Sequence, residues 1–476
     1  MPFDRRRFLI ASGVTGGLAA ATAAGIVSYR ELHDGATREP LTGGGVLVVV
    51  TLYGGNDGLN MVIPVDDPAY AKARGELAYA ADNALPLGDG FALHPAMTGV
   101  RKLWDNHRLA IVRGVGYPKP DHSHFRSMAI WQTASPETSS TTGWLGRWLD
   151  AQAKSGGARS GTATGGATAG AATAGDPAAL RAVSVGPTLA PLVVGATTAA
   201  AAVPTGPFTA PGGAIGQELR QLYRPDPTDG PLAARVASSG ADLFIVAGTL
   251  GPVVADQSDQ SQGPAGQLDA GGEDATPTPG AATAPGAATS GAATSGAPTA
   301  AGAPSAAPSA VPSAAKAGEL GAQLDVVAAC VRAGVPTRVY SVNLGGFDTH
   351  TQEKATQERL LAELDAALTR FQAAVAADPH GTAVTTLVYS EFGRRVAANA
   401  NGGTDHGTAA PVLVLGSRVR GGFHGDAPSL TSLDDGDLKV TTDFRSVYAT
   451  LLERVLGTDA GVVLGSQENF PRLAFL

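Results

Sequence analysis

Apolar and polar positions divide the chain into two alternating kinds of segment. Continuous apolar runs fall at 46–52, 109–112, 182–185, 338–342, 385–390 and 411–415, and such runs predict strands buried on both faces. Between them, apolar residues recur every three or four positions at 96–104, 125–132, 145–153, 321–332, 351–376 and 444–455, which predicts helices. This alternation predicts an α/β fold with a mostly parallel sheet and helices on both of its faces.

Three stretches contain too few large apolar residues to fit this pattern. They cover about 153–175, 197–213 and 255–315 and consist mainly of Ala, Thr, Gly, Pro and Ser; the third repeats Pro-Gly-Ala-Ala-Thr at 279–283 and 285–289. Such a composition cannot bury enough apolar area to offset the entropy cost of ordering. We therefore predict disordered insertions within one α/β domain that covers 44–476.

The N-terminus carries basic residues followed by a weakly apolar segment. Arg5 and Arg6 precede Phe8 and Leu9, and a run rich in Gly, Ala and Thr follows. This pattern predicts a twin-arginine signal over residues 1–30. It implies the twin-arginine translocase as a partner and an extracytoplasmic location (secreted, cell envelope or periplasm) for the folded chain. An uncleaved membrane anchor and a cytoplasmic helix with a basic cap are the alternatives.

Cysteine content and net charge narrow the class of protein. Cys330 is the single cysteine, so no disulfide framework stabilises the chain. The formal net charge of -8 argues against a nucleic-acid-binding surface, which is usually basic. No apolar run outside the N-terminus approaches membrane length, so we expect no transmembrane domain in the mature chain.

Ionisable residues concentrate where the predicted strands end. Segments with carboxylates or imidazoles follow four of the strands and precede the last one: 54–58, 121–125, 345–350, 391–394 and 403–407. Four of the nine histidines lie in these segments. Because sites in open α/β sheets form beyond the carboxyl ends of the strands, the segments predict one shared site.

Each segment also has a purely structural interpretation. The Gly-Gly-Asn-Asp-Gly segment at 54–58 suits a turn, Ser123 and Asp348 suit helix caps, and Glu391 suits a buried pair with a nearby arginine. Asp405 and His406 are harder to explain, since two ionisable groups that enter a buried strand need partners. Five strand ends of this kind together favour a common chemical purpose.

The residue types predict a metal-centred hydrolase. Carboxylates and imidazoles are ligands of zinc, manganese, calcium or magnesium. A serine hydroxyl beside such ions can lose its proton and attack a phosphate or sulfate ester, while the ions stabilise the charged oxygens. We expect Arg394 or Arg126 to hold the anionic oxygens of the substrate with its planar guanidinium.

The same segments resemble a bacterial family of twin-arginine-exported proteins called domain of unknown function 1501. The matching phrases are Gly-Gly-Asn-Asp-Gly-Leu-Asn-Met-Val-Ile-Pro at 54–64, Ser-His-Phe-Arg-Ser-Met at 123–128, Thr-Gly-Trp-Leu-Gly-Arg at 142–147, Gly-Gly-Phe-Asp-Thr-His at 345–350, Ser-Glu-Phe-Gly-Arg at 390–394, Gly-Thr-Asp-His-Gly at 403–407 and Asp-Phe-Arg at 443–445. They extend from about residue 46 to the C-terminus and leave out the predicted insertions.

The resemblance implies a fold like that of the alkaline phosphatase and sulfatase superfamily. It implies Ser123 as the nucleophile. By chain order it also implies a set of metal ligands: Asp57, Asp348, His350, Glu391 and His406.

The sequence departs from the superfamily pattern at two places. Asp348 and His350 are two residues apart, whereas the superfamily pair is usually four apart. Phe392 stands where a ligand histidine is expected, and Asp405 is the candidate replacement. A single metal ion, or none, is therefore an alternative to a two-metal site.

Two functions remain open at this stage. The first is an exported metal-dependent hydrolase of phosphate or sulfate esters, with Ser123 and Arg394 as catalytic residues. The second is a catalytically degenerate relative that binds a ligand or an ion, or serves in assembly, at the cell envelope. A Ser-His-Asp esterase is a weaker alternative, because the chain lacks a Gly-x-Ser-x-Gly elbow.

Overall fold

The computed structural model describes residues 44–159, 178–261 apart from 225 and 227, 319–465 and 470–476. The strands are β1 (Val46–Leu52), β2 (Val62–Ile63), β3 (Leu85–Gly88), β4 (Phe91–Leu93), β5 (Leu109–Gly116), β6 (Ala182–Val185), β7 (Ala201–Val203), β8 (Val339–Leu344), β9 (Val384–Ser390), β10 (Arg394–Ala398), β11 (Thr404–His406), β12 (Ala410–Gly416), β13 (Gly422–His424) and β14 (Thr442–Asp443). The predicted signal at 1–30 and most of the predicted insertions at 153–175 and 255–315 lie outside the described residues.

Eleven α-helices accompany these strands in the described ranges. They are α1 (Gly58–Met61), α2 (Pro68–Arg74), α3 (Thr98–Asp105), α4 (His124–Thr133), α5 (Trp144–Arg159), α6 (Gly213–Leu222), α7 (Pro231–Ser261), α8 (Glu319–Arg332), α9 (Glu353–Ala376), α10 (Phe444–Arg454) and α11 (Ala460–Leu464). All six predicted strands and all six predicted helices are confirmed, with bounds that shift by a few residues.

The main sheet has the strand order β13-β5-β12-β9-β1-β8-β6-β7, and β14 pairs beside β5. Every pairing is parallel except those of β12, which runs antiparallel to both β5 and β9. The predicted α/β class with a mostly parallel sheet is therefore confirmed. One geometric consequence matters for the site: the amino end of β12 lies at the same edge as the carboxyl ends of the other strands.

Helices cover both faces of the sheet, as predicted. Side chains alternate across a strand, and those of β1 divide between two cores. Val48 and Val50 pack with residues of α3, α7, α8 and α9, whereas Leu47 and Val49 pack with residues of α4, α5, α10 and α11. Because β1 is buried on both faces, its continuous apolar run is explained.

The predicted insertion at 197–213 differs from the structure. It contains β7, which pairs in parallel with β6, so its backbone groups join the sheet. Small Ala and Thr residues resemble a linker in composition, but the tertiary pairing with β6 satisfies their backbone. The helix α7 was also not predicted, and it extends into the start of the predicted third insertion.

One helical stretch among the described residues, Val236–Gln257 in α7, is long and apolar enough to cross a membrane by length and composition alone. The apolar pattern of the sequence predicts no such run. About 39% of its most apolar window is buried, and its residues Val246, Leu250 and Val254 lie in the main hydrophobic core. A core helix meets the same criteria of length and composition.

We predict that a buried histidine makes stability depend on pH. The Nδ1 atom of His94 accepts a hydrogen bond from the amide of Ala96 at 3.1 Å, and its Nε2 lies 2.8 Å from the hydroxyl of Tyr79. Burial lowers the pKa of His94 from 6.5 to about 4. The unfolded chain therefore binds more protons between these values, so stability is present above pH 6.5 and falls by up to about 3 kcal/mol as pH drops toward 4.

Urea unfolding at several pH values measures this loss. His94→Gln removes the titrating group, so its free energy of unfolding should change less with pH than that of the unmutated chain. The exposed His380→Gln variant is the control and should keep the original slope. Equal slopes for the unmutated chain and His94→Gln would contradict the assignment.

Candidate metal centre

Glycine lets two loops meet closely at the carboxyl edge of the sheet. Gly54 follows β1 and has a φ of 115°, a conformation that favours glycine. A Cβ atom at this position would lie 2.4 Å from the backbone nitrogen of Asp348, in the loop after β8. A side chain at Gly54 would therefore clash with the loop after β8. The absence of a Cβ atom at this position lets the two loops lie in contact.

The β10–β11 hairpin brings His406 to the same place. Arg394 and His406 are opposite each other in this antiparallel pair. The Arg394 guanidinium is buried and donates hydrogen bonds to the carbonyls of Gly54, Gly55 and Phe347 and of Thr404. It also donates to Oδ1 of Asp348 at 2.8 Å.

Four side chains converge on one point at this edge: His124, Asp348, His350 and His406. Oδ1 of Asp348 lies 3.4 Å from Nε2 of His124 and 3.2 Å from Nε2 of both His350 and His406. The Nε2 atoms of His350 and His406 are 2.9 Å apart. Donor atoms of His124, Asp348 and His406 all lie within 4.8 Å of one another.

Each of the three imidazoles has an acceptor at its other nitrogen. Nδ1 of His124 lies 2.8 Å from Oε1 of Glu391, and Nδ1 of His406 lies 2.7 Å from the carbonyl of His122. Nδ1 of His350 lies 3.4 Å from Oδ1 of Asp405. Acceptors at Nδ1 favour the tautomer in which Nδ1 carries the proton, so each Nε2 presents a lone pair to the centre.

The protonation states of Asp348 and His406 suit metal binding, whereas the raised pKa of His124 means that a metal ion competes with a proton there. Burial raises the pKa of Asp348, but the hydrogen bond and the charge of Arg394 outweigh it and lower the pKa to about 2. Burial lowers the pKa of His406 below its ordinary value. For His124, burial lowers the pKa, but the hydrogen bond and charge of Glu391 outweigh it, and the pKa is raised. Asp348 is therefore ionised and His406 neutral near pH 7, the forms that ligate metals.

The structure brings most of the predicted ligands to this centre, in two layers. Asp348, His350 and His406 point into it, and the two-residue spacing of the first pair does not prevent convergence. Glu391 and Asp405, which were predicted as ligands, do not point into the centre. Each lies behind a histidine, beside its Nδ1 atom. Phe392 is buried and packs its ring 4.8 Å from that of His124 and 4.9 Å from that of His406.

His124 is a further ligand candidate, and it was not predicted from the sequence. It lies in the segment 121–125, but the resemblance directed attention to Ser123. Its Nε2 atom is buried and has no hydrogen-bond partner among the residues that the structure describes. The Asp-His-Ser-His segment at 121–124 could have indicated His124. It follows a predicted strand and precedes a predicted helix, so its histidines lie at the predicted site.

Ser123 and Arg394, the predicted catalytic pair, both have structural contacts. Ser123 is exposed and is the N-cap of α4, where its hydroxyl accepts a hydrogen bond from the amide of Arg126 at 3.4 Å. The guanidinium of Arg394 is occupied by carbonyls and by Asp348, and the residue is 1% exposed. Arg394 therefore holds Asp348 and the loops in place. Arg126 donates to the carbonyl of Pro136.

Asp57 is not brought to the cluster, because its carboxylate belongs to another buried network. Arg74 donates to both of its oxygens, with Nη2 at 2.7 Å from Oδ1. Oδ1 also accepts the amide of Leu59 as the N-cap of α1. Burial and the charge of Asp57 raise the pKa of the neighbouring Glu353 to about 9, so Glu353 is uncharged at neutral pH.

The donor set of the centre fits one divalent transition-metal ion. Ligands at about 2.0–2.1 Å around a tetrahedral ion are separated from one another by roughly 3.3 Å. Oδ1 of Asp348 lies close to this separation from Nε2 of His124 and of His406, at 3.4 and 3.2 Å. These three residues form the compact group, and His350, whose Nε2 lies 2.9 Å from that of His406, adjoins it. Imidazole nitrogens favour zinc and similar ions over calcium or magnesium, which prefer oxygen ligands.

Fold and site together define an α/β protein with a histidine-rich centre at the carboxyl edge of its sheet. The chain belongs to the family described as "Protein of unknown function (DUF1501)", whose model matches residues 46–467. The family resemblance drawn from the sequence is thereby confirmed. No curated protein and no solved structure gives a significant match, so the likeness to the alkaline phosphatase and sulfatase superfamily stays a prediction.

The Asp57–Arg74 pair generates a prediction about stability. Arg74→Leu leaves a buried carboxylate without its cation, so we expect it to lower the free energy of unfolding by about 3–5 kcal/mol. Urea unfolding measures the change. Arg370→Leu is the matched control, because its pair with Asp325 is largely exposed and should cost less than about 1 kcal/mol. Similar costs for both variants would contradict a structural role for the buried pair.

Proposed function

We propose that His124, Asp348, His350 and His406 bind one divalent transition-metal ion and that the chain is a metal-dependent hydrolase of phosphate or sulfate esters. The observation that carries the proposal is the convergence of three Nε2 atoms on Oδ1 of Asp348. Each of these histidines has an acceptor behind it at Nδ1.

The contact between two of the histidines favours a cation. With their Nδ1 atoms protonated, the Nε2 atoms of His350 and His406 would face each other as lone pairs at 2.9 Å, which is unfavourable. A positive ion at that point would convert the repulsion into ligation. The carboxylate of Asp348 adds a negative charge at the same point. The imidazole lone pairs and this carboxylate therefore both favour a bound cation.

The partners behind the ligands follow the pattern of metal sites in proteins. Metal-bound histidines commonly donate their other N–H to a carboxylate or to a backbone carbonyl. Glu391 is 1% exposed and lies beside His124, so this carboxylate is held in place for that role. It also accepts the amide of Gly54 at 2.9 Å, which couples the β1 loop to the centre.

Hydrolysis would combine the ion with the chain's own groups. A divalent ion supplies Lewis-acid stabilisation of charge on the ester oxygens. Ser123 adjoins His124 and is the N-cap of α4, so the positive end of the helix dipole favours a negatively charged group at its hydroxyl. In the proposed step, Ser123 Oγ loses its proton to solvent and bonds to phosphorus or sulfur, while the P–O or S–O bond to the leaving group breaks and the released alkoxide takes up a proton from water. A water molecule then attacks phosphorus or sulfur, phosphate or sulfate leaves, and Ser123 Oγ regains a proton.

A second function is favoured by the contacts of Arg394. Its guanidinium is bound to carbonyls and to Asp348, so it does not serve as the substrate clamp that a phosphatase would use. Phe392 also occupies the place of an expected ligand. Under this alternative the chain binds an ion or ligand at the cell envelope without turnover.

We also propose export by the twin-arginine route after the ion has been bound, with the signal at residues 1–30. Export of folded proteins would let the cytoplasm select the metal. Replacing Arg5 and Arg6 with lysine should retain the chain in the cytoplasm, as measured by cell fractionation. Normal export of this variant would contradict the proposal.

The proposed metal centre predicts which variants keep the bound metal ion and which lose it. The purified full chain, supplied with zinc and dialysed, should retain about one ion per chain by elemental analysis. His124→Ala and Asp348→Ala should lose it, because each removes a ligand. Asp57→Asn should retain it while lowering the melting temperature. A metal-free unmutated chain, or equal metal content in His124→Ala, would overturn the proposed centre.

Turnover separates the hydrolase from the binding protein. The metal-loaded chain is assayed on an aryl phosphate, an aryl sulfate and an aryl acetate. Ser123→Gly removes the hydroxyl but costs only a few tenths of a kcal/mol as an N-cap, whereas Ser123→Ala costs about 1 kcal/mol. If Ser123 is the nucleophile, both variants should lose activity by at least about a hundredfold with metal content unchanged.

The other possible results of these assays distinguish the serine mechanism from a different hydrolytic mechanism, and the hydrolase from the binding protein. Activity that survives Ser123→Gly would reject the serine mechanism. Metal binding that raises the melting temperature without hydrolysis of any ester would favour the binding function.

A further inference from the structure

We infer that Asp437 is a positioning residue of the centre, which acts on His406 through the ring and then the backbone carbonyl of His122. The inference rests on the proposed metal centre. Asp437 lies in the connection between β13 and β14, outside every segment predicted to form the site. Neither Asp437 nor His122 is itself a candidate ligand.

The first step of this relay is a contact between the buried carboxylate of Asp437 and the ring of His122. Oδ2 of Asp437 lies 2.9 Å from Nε2 of His122. Asp437 is 3% exposed, which is unusual for a carboxylate in a surface connection, since burying a charge is costly unless it has partners. Its second partner is Arg395, whose Nε is 3.4 Å from Oδ1.

The backbone around Asp437 is held in position. Asp434 and Asp437 exchange two backbone hydrogen bonds, both 2.9 Å long. The next residue, Leu438, accepts a hydrogen bond through its carbonyl from the hydroxyl of Thr408, just before β12. The carboxylate is therefore presented from a fixed turn that is tied to the strand following His406.

The second step links His122 to the centre. The carbonyl of His122 lies 2.7 Å from Nδ1 of His406, and it is the acceptor that favours the Nδ1-protonated tautomer. The ring of His122 is 44% exposed, and Asp437 is its one polar partner among the described residues. Removing that partner frees the ring and loosens the carbonyl that orients His406.

The relay differs from the support of the other two histidines. Glu391 and Asp405 contact the rings of His124 and His350 directly. His406 is instead supported by a backbone carbonyl, whose position depends on the loop before α4. Asp437 supplies the side chain that fixes this loop from outside, so the connection between β13 and β14 belongs to the functional unit.

Metal affinity tests the relay. Asp437→Ala removes the acceptor of the His122 ring, and we expect zinc affinity to fall about 10- to 100-fold, the usual effect of losing an outer partner. Asp437→Asn keeps an acceptor oxygen and should restore part of the loss. Asp435→Ala is the matched control: it lies in the same turn and near Arg395 but is 98% exposed, and its affinity should match that of the unmutated chain.

A double-variant cycle tests whether the two residues act in series. His122→Ala should weaken zinc binding as Asp437→Ala does, and the combined variant should be no weaker than either single one. The visible spectrum of cobalt-loaded protein should change in the same variants, because the orientation of His406 alters the ligand field. Zinc affinity of Asp437→Ala within twofold of the unmutated chain, or additive losses, would overturn the relay.

A measurement without metal distinguishes failure of the relay from failure of the proposed centre. Nitrogen-15 NMR of the histidine rings reports the tautomer of His406 in the metal-free chain. We expect Nδ1 to be protonated in the unmutated chain and the tautomer to be mixed in Asp437→Ala. If the unmutated chain binds no metal, the proposed function fails; an unchanged tautomer in Asp437→Ala then overturns the relay as well, and a mixed one supports it.

Discussion

The rest of the site depends on the hydrogen bonds that the buried guanidinium of Arg394 donates. It binds carbonyls from the loops after β1 and β8 and from β11, and it also binds the carboxylate of Asp348. A buried cation without these acceptors would be strongly destabilising, and the loop carbonyls would lose their partner. One side chain therefore fixes both the positions of the loops and the ionised state of the carboxylate at the centre.

Strand direction explains why the remaining groups reach the same place. The loops after β1, β5, β8 and β9 lie at one edge because these strands are parallel, and β12 adds its preceding segment because it alone is reversed. His406 enters from β11, opposite Arg394. The sheet thus gathers residues that are hundreds of positions apart, and the low exposure of Glu391 and Arg394 keeps the supporting layer rigid.

The apolar pattern predicted the layers of the fold well, because strands buried on both faces and helices with one apolar face have strong periodic signals. The pattern did not predict β7, because the composition of this segment is that of a linker with small residues. Its pairing with β6 makes it a strand. The polar segments were predicted to meet at the carboxyl edge of the sheet, and His124, Asp348, His350 and His406 do lie together there. Asp57 was assigned to the site because chain order cannot show that Arg74, seventeen residues away in α2, holds that carboxylate. His124 was missed because the resemblance directed attention to the neighbouring Ser123, and because its partner Glu391 is remote in sequence.

X-ray absorption spectroscopy of the zinc-loaded full chain tests the central claim most directly. The account predicts a first shell of nitrogen and oxygen atoms at about 2.0–2.1 Å, with the outer-shell scattering of two or three imidazoles, and loss of one imidazole contribution in His124→Ala. A shell made of oxygen atoms alone, without imidazole scattering, would contradict the assignment of His124, His350 and His406 as ligands.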